Sequence, residues 1–219
     1  MLIGLDRVDA SSDPAAVALV LHGGRTQSFE PVRRGNLAAL RMRVLADAMR
    51  KDGSVPVLAL RYRYRGWNDA DGTRTPDSVR DALTALELIE QRLGPVPVIL
   101  IGHSLGGRTA VRVASYPTVR AVAALAPWLP DGEPVDPLAG RSVLIAHGRR
   151  DRVTDIGHSI SFAKRAIGIA DAVYLKLLDD GHAMLRAAPA WHRLSRGFAA
   201  MAAHGTQAGA LDADRLDLA

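Results

Sequence analysis

The chain has 219 residues, a length that favours a single domain with a sizeable buried core. Its 48% hydrophobic and 23% charged residues are typical of a globular protein, and the lack of cysteine excludes disulfides, thiol nucleophiles and thiolate metal sites. The formal net charge is +5, but only three of the 28 basic residues are lysine and the arginines are scattered, which argues against a nucleic-acid-binding surface.

Targeting and membrane-spanning segments are not predicted. The first apolar run, residues 15–21, ends in His-Gly-Gly and is typical of a strand rather than of a signal peptide. No stretch approaches the ~18 consecutive apolar residues that a membrane span requires. We therefore expect a cytoplasmic protein.

Strands and helices are predicted from continuous apolar runs and from apolar residues at helical spacing, respectively. In chain order they are a strand over 2–8, a strand over 17–21, a helix over 36–49, a strand over 55–60, a helix over 77–93, a strand over 96–101, a helix over 107–115, strands over 119–125 and 142–146, a helix over 155–166, a strand over 172–178 and a helix over 189–203.

The helix over 36–49 has the clearest start, because Asn36 is a preferred N-cap residue. Its apolar positions recur at the helical period. They are Leu37, Leu40, Val44, Leu45 and Met49.

The alternation of strands and helices predicts an α/β fold with a mainly parallel central sheet and helices on both faces. We expect one domain over residues 1–204. The small and polar residues 205–219 are expected to fray. In such a fold the functional groups lie on loops at the carboxyl ends of the strands.

A Gly-His-Ser-Leu-Gly pattern over residues 102–106 lies between a predicted strand and a predicted helix. A strand that turns directly into a helix holds Ser104 at a strained turn and presents its hydroxyl at the carboxyl edge of the sheet. Glycine is expected at both ends of the pattern because the two backbones pass close together there. The pattern predicts a nucleophilic serine.

A serine nucleophile needs a base to take its proton and an acid to orient that base. His182 is the predicted base, because it follows the strand over 172–178, where its imidazole can reach over the sheet edge. Asp151 is the predicted acid, and the order Ser104, Asp151, His182 is the one expected of this architecture. We interpret Asp155 as a helix cap. Residues 179–180 lie too near His182 in the chain to orient it comfortably, and a supporting role behind the orienting acid is the alternative left to them.

The tetrahedral intermediate of acyl transfer carries a negative charge that backbone N–H groups must stabilise. Leu105 N–H is one predicted donor, because it begins the helix after the serine and gains from the helix N-terminus. The second is expected from the His-Gly-Gly-Arg loop after the strand over 17–21, with Gly24 or Arg25 as the donor. We interpret His22 as a residue that holds this loop.

With these residues in this order, the chain resembles the α/β-hydrolase fold superfamily over about residues 15–203. The motifs that carry the resemblance are Gly102–Gly107, His22-Gly23-Gly24, the His147-Gly148…Asp151 segment and Gly181-His182. The resemblance implies a shared Ser-His-Asp mechanism and is nearest to small dienelactone-hydrolase-like or thioesterase-like members. Ser104 departs from dienelactone hydrolases proper, whose nucleophile is cysteine, and from haloalkane dehalogenases, whose nucleophile is aspartate.

The interval over residues 126–140 is too short for a large lid domain, so an open site for a small-molecule ester or thioester is expected. Several residues near strand ends are candidates for lining the substrate pocket, although Trp67, Asn68 and Trp128 are equally well explained by packing. The candidates are His22, Gly23, His103, Trp67, Asn68 and Trp128. We expect no cofactor and no metal, because the histidines lack metal-ligand spacing and no glycine-rich phosphate-binding motif is present.

The resulting expectation is a serine hydrolase that cleaves carboxylic esters or thioesters through an acyl-enzyme. An acyltransferase, a cofactor-free perhydrolase or a small peptidase would use the same residues, because the pocket selects the acceptor. A non-catalytic binding module on this fold is the remaining alternative, and the presence of serine, acid and base together argues against it. The sequence leaves the oligomeric state open.

Overall fold

The strands form one eight-stranded sheet in the computed structural model, which describes residues 3–5, 14–51, 54–69, 72, 74–205 and 211–217. The strands are β1 Gly4–Leu5, β2 Val17–Leu21, β3 Val57–Arg61, β4 Val98–His103, β5 Val119–Leu125, β6 Ser142–Gly148, β7 Ala172–Leu178 and β8 Asp214–Leu216. Their order across the sheet is β1-β3-β2-β4-β5-β6-β7-β8. Strands β2 to β7 pair in parallel, and the two edge strands β1 and β8 pair antiparallel.

Five α-helices of the described residues cover the two faces of this sheet. They are α1 Leu37–Arg50, α2 Asp77–Leu93, α3 Leu105–Arg112, α4 Ile156–Ala166 and α5 Ala188–His204. Side chains of α1 and α5 pack in one apolar core, and those of α2, α3 and α4 pack in the other. This arrangement confirms the predicted fold class, and the described residues contain no large lid.

The predicted bounds agree closely with the observed ones, and those of β2, β5 and β7 are the same. Asn36 caps α1 as predicted, since its side-chain oxygen accepts from the N–H groups of Ala38 and Ala39 at 3.1 Å. Asp155 caps α4 through the N–H of Gly157 at 2.7 Å. Of the strand predicted over residues 2–8, residues 4–5 form β1, residue 3 is described outside the strand, and residues 2 and 6–8 lie outside the described residues.

The carboxyl-terminal segment departs from the expectation that residues 205–219 fray, because residues 214–216 form β8. This strand pairs antiparallel with residues 173–175 of β7 and so satisfies the backbone groups of an otherwise open sheet edge. Residues 214–216 have mixed polarity and show no strand pattern in the sequence. They form a strand because the free edge of β7 supplies backbone partners. Residues 206–210 and 218–219 lie outside the described residues.

Helix α1 is turned differently from what its apolar spacing suggests. Its buried residues are Met42, Leu45, Ala46 and Met49, which form the stripe that packs on the sheet. Three of the apolar residues that marked the helix in the sequence are instead exposed. They are Leu37, Leu40 and Val44, at 77%, 40% and 59% exposure. The helix therefore has two apolar stripes, and only one of them is in the core.

The parallel pairing of β2, β4, β6 and β7 brings their carboxyl ends to one edge of the sheet. The loops that follow these four strands carry His22, Ser104, Asp151 and His182. Within the described part of the chain, no helix has the combined length and apolar character needed to cross a membrane.

Candidate active site

Ser104 lies at the junction between β4 and α3 in a backbone conformation that side chains rarely adopt, with φ 56° and ψ −118°. The turn needs glycine on both sides. A Cβ on Gly102 would lie 2.1 Å from the backbone oxygen of Gly106, and one on Gly106 would lie 2.5 Å from that of Leu21. The predicted close approach of strand and helix is therefore present at Gly102, whereas Gly106 approaches the end of the neighbouring strand β2 instead.

A chain of hydrogen bonds links the three residues predicted to act together. His182 Nε2 lies 3.1 Å from Ser104 Oγ, and His182 Nδ1 lies 2.8 Å from Asp151 Oδ2. An ionised carboxylate only accepts hydrogen bonds, so Nδ1 carries the proton and Nε2 is free to accept from the serine hydroxyl. The imidazole is therefore in the tautomer that a general base requires.

The Asp151 carboxylate is fully buried and satisfied by several donors. Its Oδ1 accepts from the N–H groups of Val153 at 2.7 Å and Thr154 at 3.0 Å, and its Oδ2 accepts from Thr154 Oγ1 at 2.8 Å. Burial raises the pKa of Asp151, but these hydrogen bonds outweigh it and hold the pKa below its ordinary value. The acid is thus kept charged without exposure to solvent.

His147 is a further member of this network, and the sequence analysis did not predict it. Its Nε2 lies 3.2 Å from Asp151 Oδ2 and its Nδ1 lies 2.8 Å from Ser159 Oγ. Because the carboxylate only accepts, Nε2 donates to it and Nδ1 accepts from the serine hydroxyl. Burial lowers the pKa of His147, so the ring is neutral near pH 7. The only sequence signals for His147 and Thr154 are their positions four residues before and three residues after Asp151.

His103 precedes the nucleophile and supports the loop that carries His182. Its Nε2–H donates to the backbone oxygen of His182 at 2.8 Å, and the two rings lie 4.9 Å apart. Burial, reinforced by the nearby His182, lowers the pKa of His103 to about 3, so the ring stays neutral. His103 was a candidate for lining the substrate pocket. Its 1% exposure contradicts that role, since so deeply buried a side chain does not line a pocket.

Asp180 holds the other side of the same loop. Its carboxylate accepts from the N–H groups of Gly181, Arg186 and Ala187 and from the indole N–H of Trp191 at 2.9 Å. Burial acts to raise the pKa of Asp180, but these four donors lower it below the ordinary value. Asp180 therefore connects the loop bearing His182 to the start of α5.

Two backbone N–H groups close to Ser104 have no acceptor among the described residues. Leu105 N–H begins α3, where the first helical N–H groups have no intrahelical partner. Gly24 N–H lies in the loop after β2 and is likewise free. Arg25, the other predicted candidate, is corrected by the structure, because its N–H already donates to the backbone oxygen of Arg65 at 2.8 Å.

His22 holds the glycine loop, as the sequence analysis proposed. Its Nδ1–H donates to the backbone oxygen of Gly23 at 2.7 Å, and its Nε2 accepts from the N–H of Tyr62 at 3.2 Å. Burial lowers the pKa of His22 to about 4. A neutral, doubly bonded ring therefore fixes the backbone path of the loop.

Three of the predicted pocket candidates have packing roles. Trp67 is 3% exposed and packs edge-on against Trp128, with ring centroids 5.9 Å apart, and the Arg108 guanidinium lies 4.1 Å from the centre of the Trp67 ring. The Asn68 amide bonds to both backbone groups of Ser28. Trp128 also contacts the Ser104 backbone, since its backbone N–H donates to the backbone oxygen of Ser104 at 3.1 Å.

The loop over residues 126–140 is held by a buried carboxylate, that of Glu133. It accepts from Arg108 Nε at 2.7 Å and from Arg112 Nε, both on α3. Its backbone oxygen accepts from Arg165 Nη1 at 2.9 Å. This loop is therefore tied to the helix that begins at the nucleophile.

A cavity of about 860 Å³ opens beside the glycine loop. Gly23 lines this cavity and lies against the Ser104 turn, since a Cβ on Gly23 would lie 3.3 Å from Ser104 Cβ. Four arginines and one acidic residue are among its lining residues. They are Arg25, Arg33, Arg41, Arg65 and Glu30.

The sequence matches the model of the alpha/beta hydrolase family over residues 18–216. A segment of 53 residues, 24% of this chain, is 40% identical to a lysophosphatidylserine lipase from Danio rerio, of which it spans 14%.

Solved structures share the fold at low sequence identity. A protein of unknown function from Agrobacterium tumefaciens is similar at a TM-score of 0.68 and 15% identity, covering 93% of this chain and 92% of the other. An esterase from Pyrococcus furiosus is similar at 0.65 and 19% identity, covering 88% and 83%.

Proposed function

Because the chain belongs to the alpha/beta hydrolase family, we propose that it is a serine hydrolase that cleaves carboxylic ester or thioester bonds of small molecules through an acyl-enzyme. The observation that carries the proposal is the 3.1 Å distance between His182 Nε2 and Ser104 Oγ, with Asp151 behind the imidazole. The names of the matched lipase and esterase support an ester substrate.

In the proposed acylation step, Ser104 Oγ attacks the acyl carbon while His182 Nε2 takes the hydroxyl proton. The charge that develops on the imidazolium is stabilised by Asp151, which remains ionised. The leaving alcohol or thiol then receives the proton from Nε2. Water then attacks the acyl carbon while Nε2 takes its proton, and this proton passes to Ser104 Oγ as the bond between Oγ and the acyl carbon breaks and the acid leaves.

The tetrahedral oxyanion is assigned to the N–H groups of Leu105 and Gly24. Both belong to backbone that is fixed before substrate binds, by α3 on one side and by the His22 hydrogen bonds on the other. Donors that need no reorganisation contribute most to lowering the barrier.

The proposal is tested by labelling with a fluorophosphonate probe and by hydrolysis of 4-nitrophenyl butyrate. We expect wild type and the exposed-serine control Ser161→Ala to be labelled, and Ser104→Ala not to be labelled. Hydrolysis by Ser104→Ala should fall by at least about 10³-fold, because the residual rate comes from binding and the oxyanion donors alone. Absence of wild-type labelling where a known esterase reacts would contradict the proposal.

A further inference from the structure

An apolar groove of about 370 Å³ lies between α1 and the segment that follows His182. Four of the seven large hydrophobic side chains exposed among the described residues line it. They are Leu37, Leu40, Val44 and Leu185. Contiguous exposed apolar surface of this kind marks a site for a ligand rather than ordinary solvent-facing surface.

The groove adjoins the cavity beside the glycine loop. It shares Leu37 and Arg41 with that cavity, which Gly23 also lines, and a Cβ on Gly23 would lie 3.3 Å from Ser104 Cβ. The groove also includes Met184, two residues after His182, in a positive-φ conformation of 55°. A chain lying in the groove would therefore have one end at the cavity that borders the Ser104 turn.

Arg41 lies where the groove meets the cavity, and none of the described residues supplies a counter-charge to it. Its Nε is buried and has no hydrogen-bond partner in the described part of the protein. None of the described residues that line the groove is acidic, and the one acidic residue of the cavity, Glu30, pairs with Arg65. Burial lowers the pKa of Arg41. A partly desolvated cation without a counter-charge is costly unless a ligand supplies the anion.

We propose that Arg41 binds the anionic group, a phosphate or a carboxylate, of an amphiphilic ester whose hydrocarbon chain lies in the groove. A guanidinium suits either anion, because its paired N–H groups bind two oxygens at once. Arg25 and Arg33, which line the same cavity, add positive potential that draws an anion to it. Catalytic use of this site rests on the proposed esterase function, but binding of the amphiphile does not.

The test measures binding to the Ser104→Ala protein by calorimetry, with ligands below their micelle concentrations. Octyl phosphate and nonanoate supply the two anions, and nonanol is the neutral control of similar chain length. We expect at least one anion to bind at least tenfold more tightly than nonanol, with the difference shrinking as salt is added. The stronger of the two anionic arms identifies phosphate or carboxylate as the recognised group.

Variants assign the effect to the proposed residues. Arg41→Gln should weaken binding of the preferred anion by about tenfold, because a charge-assisted hydrogen bond is lost. Arg41→Lys, which keeps the positive charge, should retain part of the affinity for the anion. Arg43→Gln is the control, since Arg43 is exposed on α1 and lines neither the groove nor the cavity.

The groove is tested by chain length. Octyl phosphate should bind at least tenfold more tightly than butyl phosphate, and Leu185→Ser should reduce that gain. Val153→Ser, a change at an equally exposed residue outside the groove, should not.

Equal binding of nonanol and both anions, or unchanged anion binding by a folded Arg41→Gln or Arg41→Lys protein, would overturn the proposal. Fluorophosphonate labelling of the wild type involves no anionic ligand. It therefore reports on the proposed hydrolase function separately, and either proposal can fail while the other stands.

Discussion

Asp151 shows how a fully buried carboxylate can remain charged. Three side-chain donors converge on Oδ2, from His182, Thr154 and His147, and two backbone N–H groups of the following turn bond to Oδ1. The desolvation of a buried charge is offset only when its hydrogen-bonding capacity is used in this way. The position of the His182 ring therefore depends on the groups that hold Asp151 as well as on Asp151 itself.

Thr154 offers the sharpest test of this support. Thr154→Val keeps the side-chain shape and removes the donor to Asp151 Oδ2, so we expect kcat for ester hydrolysis to fall about tenfold, the size of one buried hydrogen bond to a charged group. Thr154→Ser restores a hydroxyl and should restore most of the rate. A normal rate in Thr154→Val, with unchanged unfolding midpoint, would show that the hydroxyl does not position the acid.

The three proposed catalytic residues could be predicted from the sequence. Ser104, Asp151 and His182 each follow an apolar strand, and their order along the chain is informative. His147 and Thr154 support Asp151 through individual hydrogen-bond contacts. No spacing rule in the sequence specifies such contacts. The same holds for Arg25, whose N–H is taken by Arg65, a residue far away in the chain.

At the scale of elements, the buried carboxylate of Glu133 fixes the loop over residues 126–140 to α3. Glu133 is fully buried, whereas its partners Arg108 and Arg112 have side chains that are 11% and 34% exposed. Because both arginines belong to α3, the helix that follows the nucleophile is tied to a segment that has no regular pattern of its own. A proline-rich stretch thereby acquires a defined path.

Glu133→Gln should lower the free energy of unfolding by about 2 kcal/mol or more, because two partly buried guanidinium groups lose their counter-charge. Urea denaturation measures the change. Asp131→Asn in the same loop is the matched control, since Asp131 is 90% exposed and its loss should cost under about 1 kcal/mol. Equal effects of the two substitutions would contradict a structural role for the buried carboxylate.

Helix α1 illustrates a limit of periodicity at this scale. Both of its apolar stripes satisfy a helical period. The buried stripe is the one that contains Met42 and Ala46. Periodicity identifies a helix but not which stripe faces the sheet when both are apolar. The stripe left outside, with Leu37 and Val44, is the one that lines the groove.

For the whole molecule, buried histidines make stability depend on pH. The folded-state pKa is about 4 for His22 and about 3 for His103, both below the ordinary value of 6.5, and that of His147 is also lowered. Between about pH 6.5 and pH 4 the unfolded chain binds protons that the folded chain does not. The stability contributed by the neutral rings is fully present above about pH 6.5 and decreases as the pH falls through this window.

The free energy of unfolding should therefore decrease from pH 7 to pH 4.5, by up to about 1.4 kcal/mol per pH unit for each such histidine. Urea denaturation at several pH values measures this slope. His103→Gln can still donate to the backbone oxygen of His182, and it should make the slope shallower. His158→Gln, at a side chain that is 40% exposed, should leave it unchanged, and a slope equally steep in both variants would contradict this explanation.

The sequence by itself determined the α/β architecture, the turn that carries Ser104 and the order along the chain of the proposed serine, acid and base. These follow from short-range patterns: apolar runs bounded by turns, and glycines where two backbones meet. They need no knowledge of distant contacts.

Only the tertiary structure decided which stripe of α1 is buried, that residues 214–216 become an edge strand, that Arg25 is not a free donor and that Trp67 and Asn68 pack rather than line a pocket. Each of these depends on a partner far along the chain, and burial and hydrogen-bond satisfaction are properties of the assembled molecule. Arg41 belongs to the same class, because its missing counter-charge is visible only once α1, the glycine loop and the segment after His182 lie together.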